Sequence, residues 1–286
     1  MSAAATGGTS SGSGAEPGPD LPPRETYSHG HHASVLASHG RRTAESSAAY
    51  LLPHLRATDV LLDVGSGPGS ITVDLAARVA RVVGLDAAPA AVAASRELAA
   101  DRGATNVVVE VGDVYAIDAA DGTFDVVHAH QVLQHLGDPV AALREMRRVC
   151  RPGGLVAVRD ADYAPMTWFP ASPALERWLE LYRRLARRNG GEPDAGRRLK
   201  AWAREAGFTR VTASASTWCF AAPADLAWWT GTWAQRLTDS AFATSALAHG
   251  LSDRAELESL AAGWRAFGQE PDAWFLVPHG ELLATA

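Results

Sequence analysis

The sequence predicts an α/β fold: a mostly parallel sheet covered by helices on both faces. Two observations carry this expectation. Short apolar runs alternate with helical segments from Val60 to Asp160, and Gly- or Pro-containing bends separate them. The runs are apolar nearly throughout, as expected of strands buried on both faces and joined by right-handed crossovers.

The elements follow in order. Residues 1–23 are Ser-, Gly-, Ala- and Pro-rich, without the basic start and apolar centre of a signal peptide, and read as a disordered tail. Residues 24–42 read as an arm, with order expected from near Tyr27. Ala44, Ala48, Leu51, Leu52 and Leu55 follow helical spacing, which predicts a helix over 43–55. Strands are predicted at Val60–Val64, Arg81–Asp86, Val107–Asp113, Phe124–His130 and Leu155–Asp160. Helices are predicted at about 70–79, 89–100 and 139–150, and Arg151-Pro152-Gly153-Gly154 reads as a turn. Beyond Asp160 the pattern changes. Ser172-Pro173 is a helix start whose apolar stripe holds Leu175, Trp178, Leu179, Tyr182 and Leu185, with an arginine-rich, solvated opposite side. A helix over 195–206 follows. Strands at 210–221 and 273–283 enclose a helical stretch that includes Trp228, Trp229, Trp233 and Trp264. One domain over 43–286 is therefore expected, with helical insertions at about 164–192 and 222–270.

Composition narrows the function. The chain has 286 residues, 47% hydrophobic and 20% charged, with a formal net charge of −6. An acidic balance argues against a nucleic-acid binder. No apolar run reaches membrane-spanning length. Two cysteines, Cys150 and Cys219, build neither a disulfide framework nor a thiolate metal site, and a cytoplasmic location is expected.

The chemistry-bearing segment is Asp63-Val64-Gly65-Ser66-Gly67-Pro68-Gly69, where the first strand meets a helix. Gly65 and Gly67 permit a tight bend and close approach of a ligand, beside the free N–H groups of a helix start. The dinucleotide pattern Gly-x-Gly-x-x-Gly is not met, since position 70 is Ser. Asp86 ends the second strand, where a carboxylate can accept both hydroxyls of a ribose. Gly112-Asp113-Val114 ends the third, where Asp113 and the Val114 N–H can read a base edge. Three successive strand ends thus face the carboxyl edge of the sheet, where ligands bind.

These residues, with Phe124-Asp125-Val126-Val127, the run from His128 to Leu136, and Arg151-Pro152-Gly153-Gly154, resemble class I S-adenosylmethionine-dependent methyltransferases. The similarity is greatest to small-molecule enzymes of the ubiquinone/menaquinone-biosynthesis type, and covers about residues 43–160. The resemblance implies a Rossmann-like seven-stranded sheet of order 3-2-1-4-5-7-6 with the last strand antiparallel. It implies S-adenosyl-L-methionine as cofactor and S-adenosyl-L-homocysteine as product. Gly65, Ser66 and Gly67 would face the methionine part, Asp86 and Ala87 the ribose, and Gly112, Asp113 and Val114 the adenine. His130 and Gln131 would lie near the sulfonium. Relatives often carry Gly-Cys-Gly or Gly-Thr-Gly where this chain has Gly-Ser-Gly.

For catalysis, His130 is the candidate base, since a histidine suits proton transfer near neutrality. His135 reads as packed or hydrogen-bonded. Tyr27, His31, His32 and Arg42 form a candidate lid over donor or substrate, and no metal is expected at this histidine-rich arm. Tyr163, Trp168, Trp229 and Trp233 are candidate substrate-lining residues, with Arg236 a possible partner for an acidic substrate group or a surface residue. Trp178 and Trp202 read as core. The expected partner is a small molecule, with neither nucleic acid nor membrane, for a monomer or homodimer. A nicotinamide oxidoreductase and a ligand-binding module without turnover are the alternatives.

Overall fold

The computed structural model describes Met1 and residues 42–286. Tyr27, His31 and His32, the proposed tail and the arm up to residue 41 lie outside the described residues.

Among the described residues eight strands form one sheet: β1 (Val60–Val64), β2 (Arg81–Asp86), β3 (Val107–Val111), β4 (Phe124–His130), β5 (Cys150–Ala161), β6 (Thr167–Phe169), β7 (Arg210–Phe220) and β8 (Trp274–Thr285). Their order is β3-β2-β1-β4-β5-β8, with β7 along the far side of β8 and β6 on its first residues. The first five strands are mutually parallel, and β8 runs antiparallel to its neighbours. The expected order is found, with β8 and β7 as the last two strands and β6 a three-residue addition.

The helices are α1 (Ala44–Ser47), α2 (Ser70–Ala76), α3 (Pro89–Asp101), α4 (Pro139–Val149), α5 (Pro173–Arg188), α6 (Leu199–Glu205), α7 (Pro223–Asp239), α8 (Ala241–Ala248) and α9 (Arg254–Phe267). Proline at the first helical position opens α3, α4, α5 and α7, where its missing N–H costs nothing. Successive β1 residues serve opposite faces. Leu61 packs toward α1 and α2, whereas Leu62 and Val64 pack toward α4 and α6. A third core lies in the cap formed by α5, α7, α8 and α9, centred on fully buried Trp178, Trp233 and Trp264.

Several expectations are corrected. The helix over 43–55 is only α1 followed by a 3₁₀ turn at Leu52–His54. Thr43 caps it through the Ser46 N–H, and Pro53 supplies no donor to carry it on. The bend at 151–154 is absorbed into β5, as a register shift against β4 with Gly153 at φ 75°. The arginine side of α5 is not simply solvated: Arg183 and Arg187 both bind the buried Asp194 carboxylate, at 2.7 and 2.6 Å. Trp202 is half-buried rather than core.

Candidate active site

The carboxyl edge of β1 is built around a buried carboxylate. Asp63, 3% exposed, accepts from Thr72 Oγ1 at 2.6 Å and from His128 Nδ1 at 2.7 Å. This ties the strand to α2 and to β4, so the bend between them is held from below. Gly65, Gly67 and Gly69 all have positive φ, at 67°, 54° and 87°. A side chain at 65 would be strained, and its Cβ would fall 2.4 Å from Val132 Cγ2.

The edge continues to β2 and β3. The Gly65 and Ser66 N–H groups donate to Leu85 O. Asp86 Oδ2 accepts from the Gly67 N–H and Oδ1 from the Ala88 N–H, each at 2.9 Å, so one half-buried carboxylate sets the shape of the bend. A carboxylate has about four acceptor positions, and two remain for a ligand's hydroxyls. Gly112 N–H donates to Asp86 O, which brings the β3 end alongside, with Ala87 and Asp113 exposed and Val114 half-buried. Asp113 Oδ1 accepts the Tyr115 N–H. The buried Ser66 Oγ has no hydrogen-bond partner among the described residues, an open polar atom within this cradle.

β4 ends in His130 and Gln131. Gln131 has φ 54°, the sole non-glycine positive φ among the described residues, a strain characteristic of functional positions. Its side chain is fixed at both ends. Oε1 accepts from Arg42 at 2.9 Å, and Nε2 lies 2.8 Å from His279 Nε2. Because the amide nitrogen donates, His279 accepts there and donates from Nδ1 to Val277 O. Asp160, fully buried, holds the turn after Gln131 by accepting the Gln134 N–H. Burial pushes its carboxyl up to about 7, against the pull of the Gln134, Leu133 and Val132 N–H groups.

His130 is 6% exposed, and neither ring nitrogen has a hydrogen-bond partner among the described residues. Burial, then the charges of Arg42 and Arg159, hold it well below its ordinary value. It is therefore neutral at physiological pH. It does not line the adjoining cavity, because Trp218 stands beside it at 5.6 Å between ring centres.

That cavity, about 470 Å³, lies between the segment following Arg42, the ends of β4 and β5, the β7–β8 pair and α7. Arg42, Gln131, Tyr163 and Trp229 line it. Trp168 and Trp233 do not: Trp168 stacks on Phe275 in the sheet, and Trp233 packs edge-on against Trp178 in the cap core. Arg236 is buried and lines the cavity, with its guanidinium over Trp233, so the surface alternative is set aside. His135 also lines it, half-buried, its pKa lowered to about 3 by burial. Sequence reasoning missed Ser216, Trp218 and Phe220 on the edge strand β7, Glu281 within β8, and Met166 just before β6.

The match to known proteins decides the family. A methyltransferase-domain family matches residues 55–211. The chain belongs to it. This methyltransferase is 32% identical over 268 residues to an uncharacterized methyltransferase of Schizosaccharomyces pombe, covering 90% of this chain and 95% of that one. It is also 32% identical over 153 residues to a ubiquinone biosynthesis O-methyltransferase of Pseudomonas aeruginosa, covering 52% of this chain and 63% of the relative. The fold is shared with the crystal structure of the YcgJ protein of Bacillus subtilis, at a TM-score of 0.57 and 16% identity over 84% of this chain and 98% of that one. The methyltransferase is thus a class I enzyme of the S-adenosylmethionine-dependent type. Among its described residues no helix is long and apolar enough to cross a membrane, and no cluster of three or more His, Cys, Asp or Glu side chains is placed to hold a metal.

Proposed function

We propose that the chain transfers a methyl group from S-adenosylmethionine to a small-molecule acceptor seated in the aromatic cavity, within cytoplasmic small-molecule metabolism. The observation that carries this is the meeting of two compartments at Gln131: an open polar edge built on Gly65–Gly67 and Asp86, and a cavity of mixed polar and aromatic lining on the other side. The residues fit the donor. Gly65, Ser66 and Gly67 leave room for its methionine part, Asp86 beside Ala87 has acceptor positions for a diol, and Gly112, Asp113 and Val114 border the base position.

When bound, the donor supplies an electrophilic methyl on a sulfonium that loses its charge on transfer. The chain's own contribution is to place the acceptor in line and keep water away. Holding reacting atoms about 3–3.5 Å apart can contribute roughly 7–11 kcal/mol. Gln131, locked by Arg42 and His279, stands at the boundary and orients what reaches it. His130 is neutral with both ring nitrogens open, but it lies beside Trp218 and off the cavity wall, so it takes a proton from an O or N nucleophile only if Trp218 moves aside.

The test is incubation with methyl-labelled S-adenosylmethionine and a fractionated metabolite extract. Label should enter a low-mass product. Binding of the donor without any labelled product would favour a module without turnover, and label in RNA or protein would refute the small-molecule reading.

A further inference from the structure

Resting on the reading that methyl transfer takes place where the two compartments meet at Gln131, we infer that Asp160 is a positioning residue for the reaction. It fixes the segment 131–135, which touches the donor bend on one side and the acceptor cavity on the other. Val132 packs so closely on the bend that a Cβ on Gly65 would fall 2.4 Å from its Cγ2. Gln131 and His135 line the cavity. A shift of this segment therefore moves the donor's bed and the acceptor's wall together, away from the rest of both sites.

The end of β5 clasps the segment. The Gln131 N–H donates to Arg159 O at 2.7 Å, the Gln134 N–H to Asp160 Oδ1 at 3.1 Å, and the Ala161 N–H to Gln134 Oε1 at 3.0 Å. Among the described residues, Asp160 supplies the only side-chain contact from β5 in this clasp. The Val132 and Leu133 N–H groups and the neighbouring Arg159 also draw on its charge. Gln134 Nε2 lies 3.0 Å from His135 Nε2, so the hold extends to a cavity-lining ring. The other side is closed too: the Glu192 N–H donates to Gln134 O at 2.9 Å, and a Cβ on Gly191 would fall 2.6 Å from the same oxygen. A non-glycine residue keeps a positive φ only where its surroundings over-determine it, and this clasp does so for Gln131 at φ 54°.

Asp160 is fully buried and does not line the cavity, so it acts through the segment and touches neither donor nor acceptor. In-line transfer needs reacting atoms about 3–3.5 Å apart, and a misplacement of about 1 Å costs on the order of a hundredfold in rate. The residues assigned to the donor's ribose and base, Asp86 and Asp113, lie at the end of β2 and just past β3, apart from the clasp. Releasing the segment therefore lowers turnover far more than donor affinity. Asp160 Oδ2 makes no hydrogen bond among the described residues, so an amide nitrogen in its place displaces none.

The experiment measures two quantities on the full-length chain: turnover of methyl-labelled S-adenosylmethionine with the extract fraction that the parent labels, and calorimetric affinity for S-adenosylhomocysteine. Asp160→Leu keeps the branching of the side chain without an acceptor. Its turnover at saturating donor should fall about a hundredfold, with affinity for S-adenosylhomocysteine within about threefold of the parent. Asp160→Asn, whose amide oxygen still accepts the Gln134 N–H, should bring turnover back to within about threefold of the parent. Should the leucine variant not fold, Gln134→Met, which removes the tie to the Ala161 N–H, should show the same split, with turnover down at least about tenfold. Parental turnover in the variant that folds overturns the inference. So does a loss of donor affinity as large as the loss of turnover, or an asparagine variant as slow as the leucine or methionine one. A parent that binds S-adenosylhomocysteine but labels no small molecule would instead overturn the proposed methyl transfer.

Discussion

Replacing Asp63 with alanine removes the one acceptor shared by two fully buried donors. Thr72 Oγ1 at 2.6 Å and His128 Nδ1 at 2.7 Å would both be stranded, on residues that are 0% exposed. Each stranded donor costs about 1–3 kcal/mol. Breaking a buried hydrogen-bonded carboxylate by removing one side costs about 3–5 kcal/mol, so Asp63→Ala should fall in that range. Asp63→Asn keeps an acceptor and the packing and should cost less, about 1–2 kcal/mol. Equilibrium unfolding in guanidinium chloride measures both. Thr72→Val supplies the cross-check: because it shares its partner with His128, its cost should not add fully to that of Asp63→Ala. A loss below about 1 kcal/mol for Asp63→Ala, or strict additivity with Thr72→Val, would refute the picture of one carboxylate bracing the bend.

Gly65→Ala should weaken S-adenosylhomocysteine binding about tenfold or more in calorimetry, since a Cβ at φ 67° is strained and would crowd Val132; unchanged affinity would mean the bend does not shape the donor site. Asp160→Asn should change the pH profile of stability. The Asp160 carboxyl titrates near 7 in the folded chain, above its unfolded value, so the folded state holds the proton longer, and parent stability from this group falls as pH rises from about 4 to 7. The variant, neutral throughout, should gain on the parent over that window by up to roughly 4 kcal/mol; a constant difference in urea unfolding between pH 5 and 8 would contradict this. Trp233→Ala, which empties the centre of the cap core, should cost about 3–5 kcal/mol by the same measurement, whereas a substrate-lining role would leave stability nearly untouched.

The central sheet was legible because its strands are apolar on both faces and punctuated by glycine. Val60–Val64, Arg81–Asp86 and Phe124–His130 have the predicted bounds. Asp63, Asp86 and Asp113 stood out as carboxylates at or just past the ends of apolar runs, and of the three Asp63 is buried and needs the partners it has. The cap was legible as helix but not as site. Trp229 and Trp233 are four residues apart on α7, and which of them faces the cavity depends on what packs around the helix. Arg159 and Glu281, which continue the row from His130 across the sheet, escaped reading for a similar reason. A charged residue in a strand suggests an exposed face, whereas Arg159 is buried between β4 and β8 with its guanidinium over Trp218. Trp218 joined the site from an edge strand whose neighbours are mostly exposed, with its Nε1–H donated to Ser46 O across 172 positions of sequence. No local pattern records such a contact.

The most direct measurement is calorimetric titration with S-adenosylhomocysteine of the parent and of Asp86→Ala. The parent should bind, and the variant should bind about ten- to a hundredfold more weakly, because a charged acceptor contributes about 1.5–3 kcal/mol to a hydroxyl ligand and Asp86 also holds the Gly67 bend. No heat from the parent, or equal affinity in the two, would contradict the account.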